Sequence, residues 1–246
     1  MNYNWAKEVA NLQIDITSHC NARCGACVRN VDGGDTEKNL PLAHFDFDLW
    51  KRIAYEDTHR WYMHRLNLNG NWGDPMMHPK LVEMMEVWLD AHPRSTPSIA
   101  TNGSIRDKEF WIKLASALKY SNGGNVGFSI DGMEDTHHIY RRKTSYSKLV
   151  ENIKAFTNAD GLAIIYMTLF EHNKHQIEDA KKLAKEYGFS RFDIRRSRMA
   201  EHISNSLREE AIRTGVMTVE EKETSYEHSG FTKVKKKDMS EGAEHS

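Results

Sequence analysis

Three cysteines within eight residues carry the most distinctive chemistry of this sequence. Cys20, Cys24 and Cys27 stand in the run Cys20-Asn21-Ala22-Arg23-Cys24-Gly25-Ala26-Cys27, and the 246 residues contain no others. An odd, tightly grouped set is not a disulfide framework. Thiolates at C-x3-C-x2-C spacing on one loop can converge on one metal centre. Structural zinc takes four protein ligands in a closed tetrahedron. His19 is the only neighbour that could complete it, and it directly precedes Cys20, which is awkward for closing the same site. A [4Fe–4S] cluster normally takes four thiolates. Three would leave one iron open, which a catalytic site needs and a structural site avoids. The spacing favours the cluster; zinc and three unliganded thiols stay open as alternatives.

Regular elements must hold such a loop, and the chain alternates strand-like and helix-like segments. The patterns predict strands at 11–17, 64–70, 97–102, 124–131, 161–169 and 190–196. They predict helices at 45–57, 79–91, 107–119, 145–157 and 173–187. In the last helix Ile177, Ala180, Leu183, Ala184 and Tyr187 recur at helical spacing, with Asn173 as N-cap and Gly188 as stop. Pro79 suits the first turn of the second helix. Strand–helix alternation means βαβ units and a parallel sheet with right-handed crossovers. No Gly-x-Gly-x-x-Gly follows the first strand, which favours a barrel over a dinucleotide-binding sheet. The expected fold class is α/β, a partial (β/α)6 TIM-like barrel of parallel strands with a short C-terminal helical tail.

One face of each predicted strand is polar. It holds Asp15 and Thr17; Arg65, Asn67 and Asn69; Ser98 and Asn102; Ser129 and Asp131; Tyr166 and Thr168; Asp193 and Arg195. The opposite face holds Ile14, Ile16, Leu66, Leu68, Ile99, Phe128, Ile130, Ile165, Phe192 and Ile194, which should meet the helices. An ordinary closed barrel fills its interior with branched apolar side chains. A polar lumen points to a wetter cavity that holds a ligand.

Lys and Arg number 34 against 35 Asp and Glu, so the net charge of −1 argues against nucleic-acid binding by bulk electrostatics. Nine Phe, nine Tyr and six Trp supply a core. No run approaches a membrane span and the first residues hold no signal peptide, so a cytoplasmic protein is expected. From about residue 201 the composition turns charged. The reading is a core domain over 1–200 and a C-terminal helix and solvated tail over 201–246, with Ile203, Leu207, Ala211 and Val216 on one stripe.

Over roughly residues 10–200 the chain resembles the radical S-adenosylmethionine (radical SAM) enzymes. The cysteine loop directly after the first strand is the strongest element. Trp72-Gly73-Asp74-Pro75 after the second strand resembles the family's Gly-Gly-Glu-Pro segment. Thr101-Asn102-Gly103 ends the third strand, and Ser129-Ile130-Asp131-Gly132 the fourth, followed by His137 and Arg141; Leu169 ends the fifth. The chain is most similar to the SPASM-type branch, without that branch's Cys-rich C-terminal extension. Ala26 stands where the family often has an aromatic residue, and Asp74 replaces Glu.

The resemblance implies a [4Fe–4S] cluster on Cys20, Cys24 and Cys27, with SAM on the fourth iron. It implies that Gly73, Asp74 and Pro75 meet the SAM amino group through backbone carbonyls, and that Arg141 pairs with its carboxylate. Ser129 would contact the methionine or ribose part, Asp131 would accept a ribose hydroxyl, Asn102 would also meet the ribose, and Leu169 would pack on adenine. Reductive cleavage of SAM would give a 5′-deoxyadenosyl radical that takes hydrogen from a polar small molecule or peptide. Arg65, Asn67, Asp193 and Arg195, with Tyr166 on the lumen wall, are the candidates for the substrate end. An external electron donor such as flavodoxin or ferredoxin is implied. The competing reading is a non-enzymatic iron–sulfur or partner-binding protein that kept the cluster loop.

Overall fold

Hydrophobic periodicity along the chain alternates between two and about 3.6, and the computed structural model follows it. Residues 11–31, 33–55 and 63–196 are described; the predicted 201–246 helix and tail lie outside them. The elements run β1 (Asn11–Gln13), α1 (Phe47–Tyr55), β2 (Arg65–Leu68), α2 (Leu81–Ala91), β3 (Thr96–Thr101), α3 (Lys108–Leu118) and β4 (Asn125–Ser129). They continue with α4 (His137–Tyr140), α5 (Tyr146–Thr157), β5 (Leu162–Leu169), α6 (Ile177–Glu186) and β6 (Arg191–Arg196). The six strands form one unclosed sheet in sequence order, every pair parallel, which is a partial TIM-like barrel.

The apolar strand faces carry the core. Leu66, Leu68, Ile99, Val126, Phe128 and Ile165 are fully buried, against Trp50, Trp88, Trp111 and Phe156 from the helices. Each buried indole N–H has an acceptor, Trp50 on the Met84 carbonyl at 2.9 Å, Trp88 on Ser95 Oγ at 3.0 Å and Trp111 on the Ile105 carbonyl at 3.1 Å. On the polar face Asn67, Ser98, Ser129, Thr168 and Asp193 are half-buried and Arg65 and Arg195 exposed, so that part stays wet, whereas Tyr166, Asn102 and Asp131 of the same face are buried.

The sequence reading needs correction at several ends. β1 stops at Gln13: Ile14 N–H still donates to the Asn67 carbonyl of β2 at 3.1 Å, but residues 16–18 pair with the returning segment 43–45, Phe45 N–H donating to the Ile16 carbonyl at 2.8 Å and Ser18 N–H to Ala43 at 3.0 Å. Thr17, placed on the lumen face by alternation, is buried and turned to His44 Nδ1 at 2.9 Å. Ile194 is 46% exposed, since β6 is the last strand of the sheet and no described element follows to cover it. Pro79 lies outside α2, whose N-cap is Lys80. Asn173 does not cap α6. Its amide bridges the end of β5, accepting from Phe170 N–H at 2.8 Å and donating to the Thr168 carbonyl at 2.9 Å. Gly188 does end that helix in the left-handed region, at φ +71.

The turn after β3 belongs to glycine. Gly103 has φ +70, and a Cβ there would lie 2.6 Å from Leu149 and 2.7 Å from Phe128. Buried Asn152 of α5 fastens this turn, its Nδ2 donating to the Gly103 and Ile105 carbonyls at 2.8 Å each. Asn152→Ala should therefore lower the unfolding free energy by about 1–3 kcal/mol, the usual cost of stranding buried acceptors. Urea denaturation checks this; wild-type stability would contradict it.

Candidate functional site

The cysteine loop leaves the 14–18 segment and is fastened on both sides. Arg23 N–H donates to the Arg142 carbonyl at 2.8 Å and Gly25 N–H to Tyr140 at 3.3 Å, joining the loop to the end of α4. Asn21 Nδ2 donates to Ser104 Oγ at 2.9 Å, joining it to the turn after β3. All three cysteines are free thiols. Cys24 is 7% exposed; Cys20 and Cys27 are half-buried. Burial first, and then the nearby Asp74 charge, pushes the Cys20 thiol up to about 12. Burial also raises Cys24, against the pull of the Arg141 guanidinium. Such thiols stay protonated alone and become ligands when a metal displaces the proton.

Three thiols on one loop are a donor set that fits an iron–sulfur cluster. Closed zinc would need a fourth protein ligand beside them. A cubane spreads its thiolates over separate irons. The three thiols of one loop, neighbours enough for Cys24 to feel Cys27 and Cys20 to feel Cys24, suit that larger group.

The second wall is the segment between β2 and α2. Gly70 turns back at φ +61, and Gly73 lies so close to the Thr17 and His19 backbone that any side chain would collide with their carbonyl oxygens. Asp74 N–H donates to the His19 carbonyl at 2.8 Å. The Asp74 carboxylate is buried. It accepts from Met76 N–H at 3.0 Å, Thr101 Oγ1 at 2.9 Å, Asn102 N–H at 2.8 Å and Asn102 Nδ2 at 2.6 Å. Burial outweighs these donors and raises its carboxyl above the ordinary range. Asn102 is spent on the same junction, its amide also donating to Asn21 Oδ1 at 2.8 Å and accepting from Ser104 Oγ at 2.7 Å. Pro75 is buried beside it.

The third wall follows β4. Asp131 is fully buried, accepting from Thr168 N–H at 2.6 Å and from Arg141 Nε at 2.6 Å. Arg141 Nη1 lies 3.6 Å from Cys24 Sγ, so this guanidinium reaches the cysteine loop. Its charge is held far above the ordinary range although burial opposes it, because Asp131 faces it. His137 is buried with neither ring nitrogen bonded, and burial, opposed by Asp131, holds it down to about 4. It is a neutral core histidine packed on Tyr146. Ser129 and Leu169 are half-buried near these ends.

The predicted substrate residues divide. Tyr166 is buried with its ring over Gly127, where any side chain would strike it, and the Arg195 guanidinium stacks 3.4 Å from the ring centroid. Asp193 is beside Tyr166 in register and pairs with Arg191 at 2.9 Å. Arg65 and Asn67 lie on β2, four strands from β6, and Arg65, its first residue, stands at the amino end of the sheet. Sequence reasoning missed Tyr140, whose ring packs tilted on Phe170 at 4.4 Å beside Gly25, and it missed Gly127, although a glycine inside a strand is a recognised sign of close approach.

Comparison with known proteins adds the following. The family model described as Radical SAM superfamily matches residues 14–184. GTP 3′,8-cyclase of Campylobacter fetus subsp. fetus is 23% identical over 188 residues, 75% of this chain and 55% of that protein. The chain thus spans about half the length of the curated relatives it matches. Streptococcus suis SuiB bound to S-adenosylmethionine superposes with TM-score 0.62 at 16% identity, covering 78% of this chain and 42% of that one. Native anSMEcpe with bound AdoMet gives 0.57 at 17% identity, covering 76% and 50%. At such identities the solved structures speak for the fold alone. No helix among the described residues is long and apolar enough to cross a membrane.

The Asp131–Arg141 pair yields a stability test. Asp131→Ala leaves a largely buried guanidinium without its partner, which costs about 3–5 kcal/mol. Ser129→Ala on the wet face should change stability by less than about 0.5 kcal/mol. Urea denaturation of both separates them, and equal effects would contradict the assignment.

Proposed function

The chain belongs to the radical SAM superfamily, and on that premise we propose an enzyme that removes hydrogen from a polar small molecule or peptide. The enzymes of that family work with a [4Fe–4S] cluster and S-adenosylmethionine. The observation that carries the proposal is the convergence of three thiols, the Gly73–Pro75 backbone and the Arg141 guanidinium on one end of the sheet, 3.6 Å separating Arg141 from Cys24. In parallel α/β folds that carboxyl end is where ligands bind.

Cys20, Cys24 and Cys27 would hold three irons and leave the fourth to SAM. When bound, the pair supplies a 5′-deoxyadenosyl radical as hydrogen acceptor. Gly73, Asp74 and Pro75 would offer backbone carbonyls to the SAM amino group. Arg141 would take its carboxylate, using guanidinium N–H groups that Asp131 leaves free. Ser129 would meet the methionine or ribose part, and Leu169 the adenine. Asp131 and Asn102 would act by holding Arg141 and the Gly73–Pro75 segment, since their side chains are already engaged.

Tyr166, Arg195, Asp193 and Asn67 would line the substrate end, while Arg65 stands at the amino end of β2, away from the other four. The Arg195 guanidinium over Tyr166 favours a substrate with an anionic group, chemistry that the GTP of the curated relative's name carries. The electron would come from an external one-electron donor such as flavodoxin or ferredoxin. We extend the core to residue 200, with 201–246 as a helix and charged tail, and place the protein in the cytoplasm.

Anaerobically reconstituted protein with dithionite and SAM should form 5′-deoxyadenosine, slowly, without substrate. Cys24→Ala should abolish it. Arg141→Ala should weaken SAM binding roughly 10- to 150-fold, the loss of one charge-assisted hydrogen bond of about 1.5–3 kcal/mol. A cluster-loaded wild type that neither binds nor cleaves SAM would favour the non-enzymatic reading.

A further inference from the structure

Arg29 is a buried charge with no acid paired to it among the described residues. It is 3% exposed. Its Nε donates to the Ser18 carbonyl at 3.0 Å, and its Nη1 to Asn30 Oδ1 at 3.2 Å and Thr36 Oγ1 at 3.0 Å. All three acceptors are neutral, and among the described residues Arg29 makes no ion pair. A buried cation in this state is costly unless an anion stands close enough to balance it. The sequence reading passed over this residue because an arginine in a polar loop ordinarily faces solvent.

Its neighbours suggest the anion. Arg29 follows Cys27 by two positions, and the Asn30 that accepts from it donates its own N–H to the Cys27 carbonyl at 2.9 Å. The Ser18 carbonyl that accepts from Arg29 Nε lies two residues before Cys20, so Arg29 is fixed at both ends of the cysteine loop. Three thiolates outweigh the positive charge of a cubane core, so a cluster on this loop is an anion, and one added electron makes it more so. A fixed cation beside it favours the reduced form over the oxidised form, and net charge is one of the terms that sets such potentials.

We infer that Arg29 is the counter-charge of the cluster and raises its reduction potential. It is a positioning and tuning residue, touching neither SAM nor substrate. This rests on the cluster assignment proposed above. The couple is one-electron: the oxidised cluster accepts an electron from a low-potential donor, and no bond forms or breaks at Arg29.

The test is an anaerobic potentiometric titration of the reconstituted full chain, followed by electron paramagnetic resonance of the reduced cluster, in wild type, Arg29→Lys and Arg29→Gln. Iron and sulfide analysis accompanies each. Arg29→Gln should lower the equilibrium constant for reduction at least about tenfold, about 59 mV for a one-electron couple. Arg29→Lys, which keeps the charge and loses the planar fork, should stay near wild type. Loss of cluster in Arg29→Gln alone, with Arg29→Lys fully loaded at the wild-type potential, is also a charge effect and supports the inference. It is overturned by a wild-type potential in Arg29→Gln, by equal shifts in both variants, or by loss of cluster in Arg29→Lys. Each would make Arg29 a clip for the loop. A wild type that takes up no cluster would instead sink the underlying assignment, before any variant is read.

Discussion

The Asp74 carboxylate is the knot on which the site depends. It gathers donors from its own turn, from the last residue of β3 and from Asn102, and Asn102 passes the connection on to Asn21 of the cysteine loop. Three segments far apart in sequence thereby become one rigid unit at one end of the sheet. The arrangement is expensive, because burial disfavours the charged carboxylate. It persists because the donors are fixed by backbone that the core already orders. A short carboxylate serves here: from N-cap position Asp74 also closes the turn at Pro75–Met77.

The Asp131–Arg141 pair repeats this logic on the other side. One oxygen ties the end of β4 to the backbone of β5, and the other aims a guanidinium at the cysteine loop. In both places an acid with its oxygens turned inward makes the geometry that a neighbouring group uses. Stability and site are therefore coupled at these ends, whereas the strands' wet face carries side chains that the fold could lose cheaply. The outer face does the opposite work: fully buried Leu66, Phe128 and Ile165 against the helical tryptophans hold the sheet whatever its lumen contains.

Alternation of period made the six strands, five of the helices and the two strand faces legible in the sequence. Cysteine spacing did the same for the metal loop. What escaped the sequence has physical reasons. β1 ended early because residues 16–18 found partners in segment 43–45, a long-range pairing that no local pattern encodes. Short α4 is four residues, too brief for a periodicity. Asn102 and Asp131 read as ligand contacts because polar residues at strand ends often are; only coordinates reveal that the Asn102 amide is filled by Asp74, Asn21 and Ser104 and that Asp131 holds Arg141 and the β5 backbone. Arg29 looks like surface in sequence and lies in the interior in space.

The account stands on three thiolates of one loop holding a cubane whose fourth iron is open to SAM. Mössbauer spectroscopy of protein reconstituted with iron-57, recorded without and with SAM, tests that most directly. The account expects a [4Fe–4S] signal in which one iron alone changes its isomer shift when SAM is added. Four equivalent irons that ignore SAM, or a protein that takes up zinc and no iron, would contradict it.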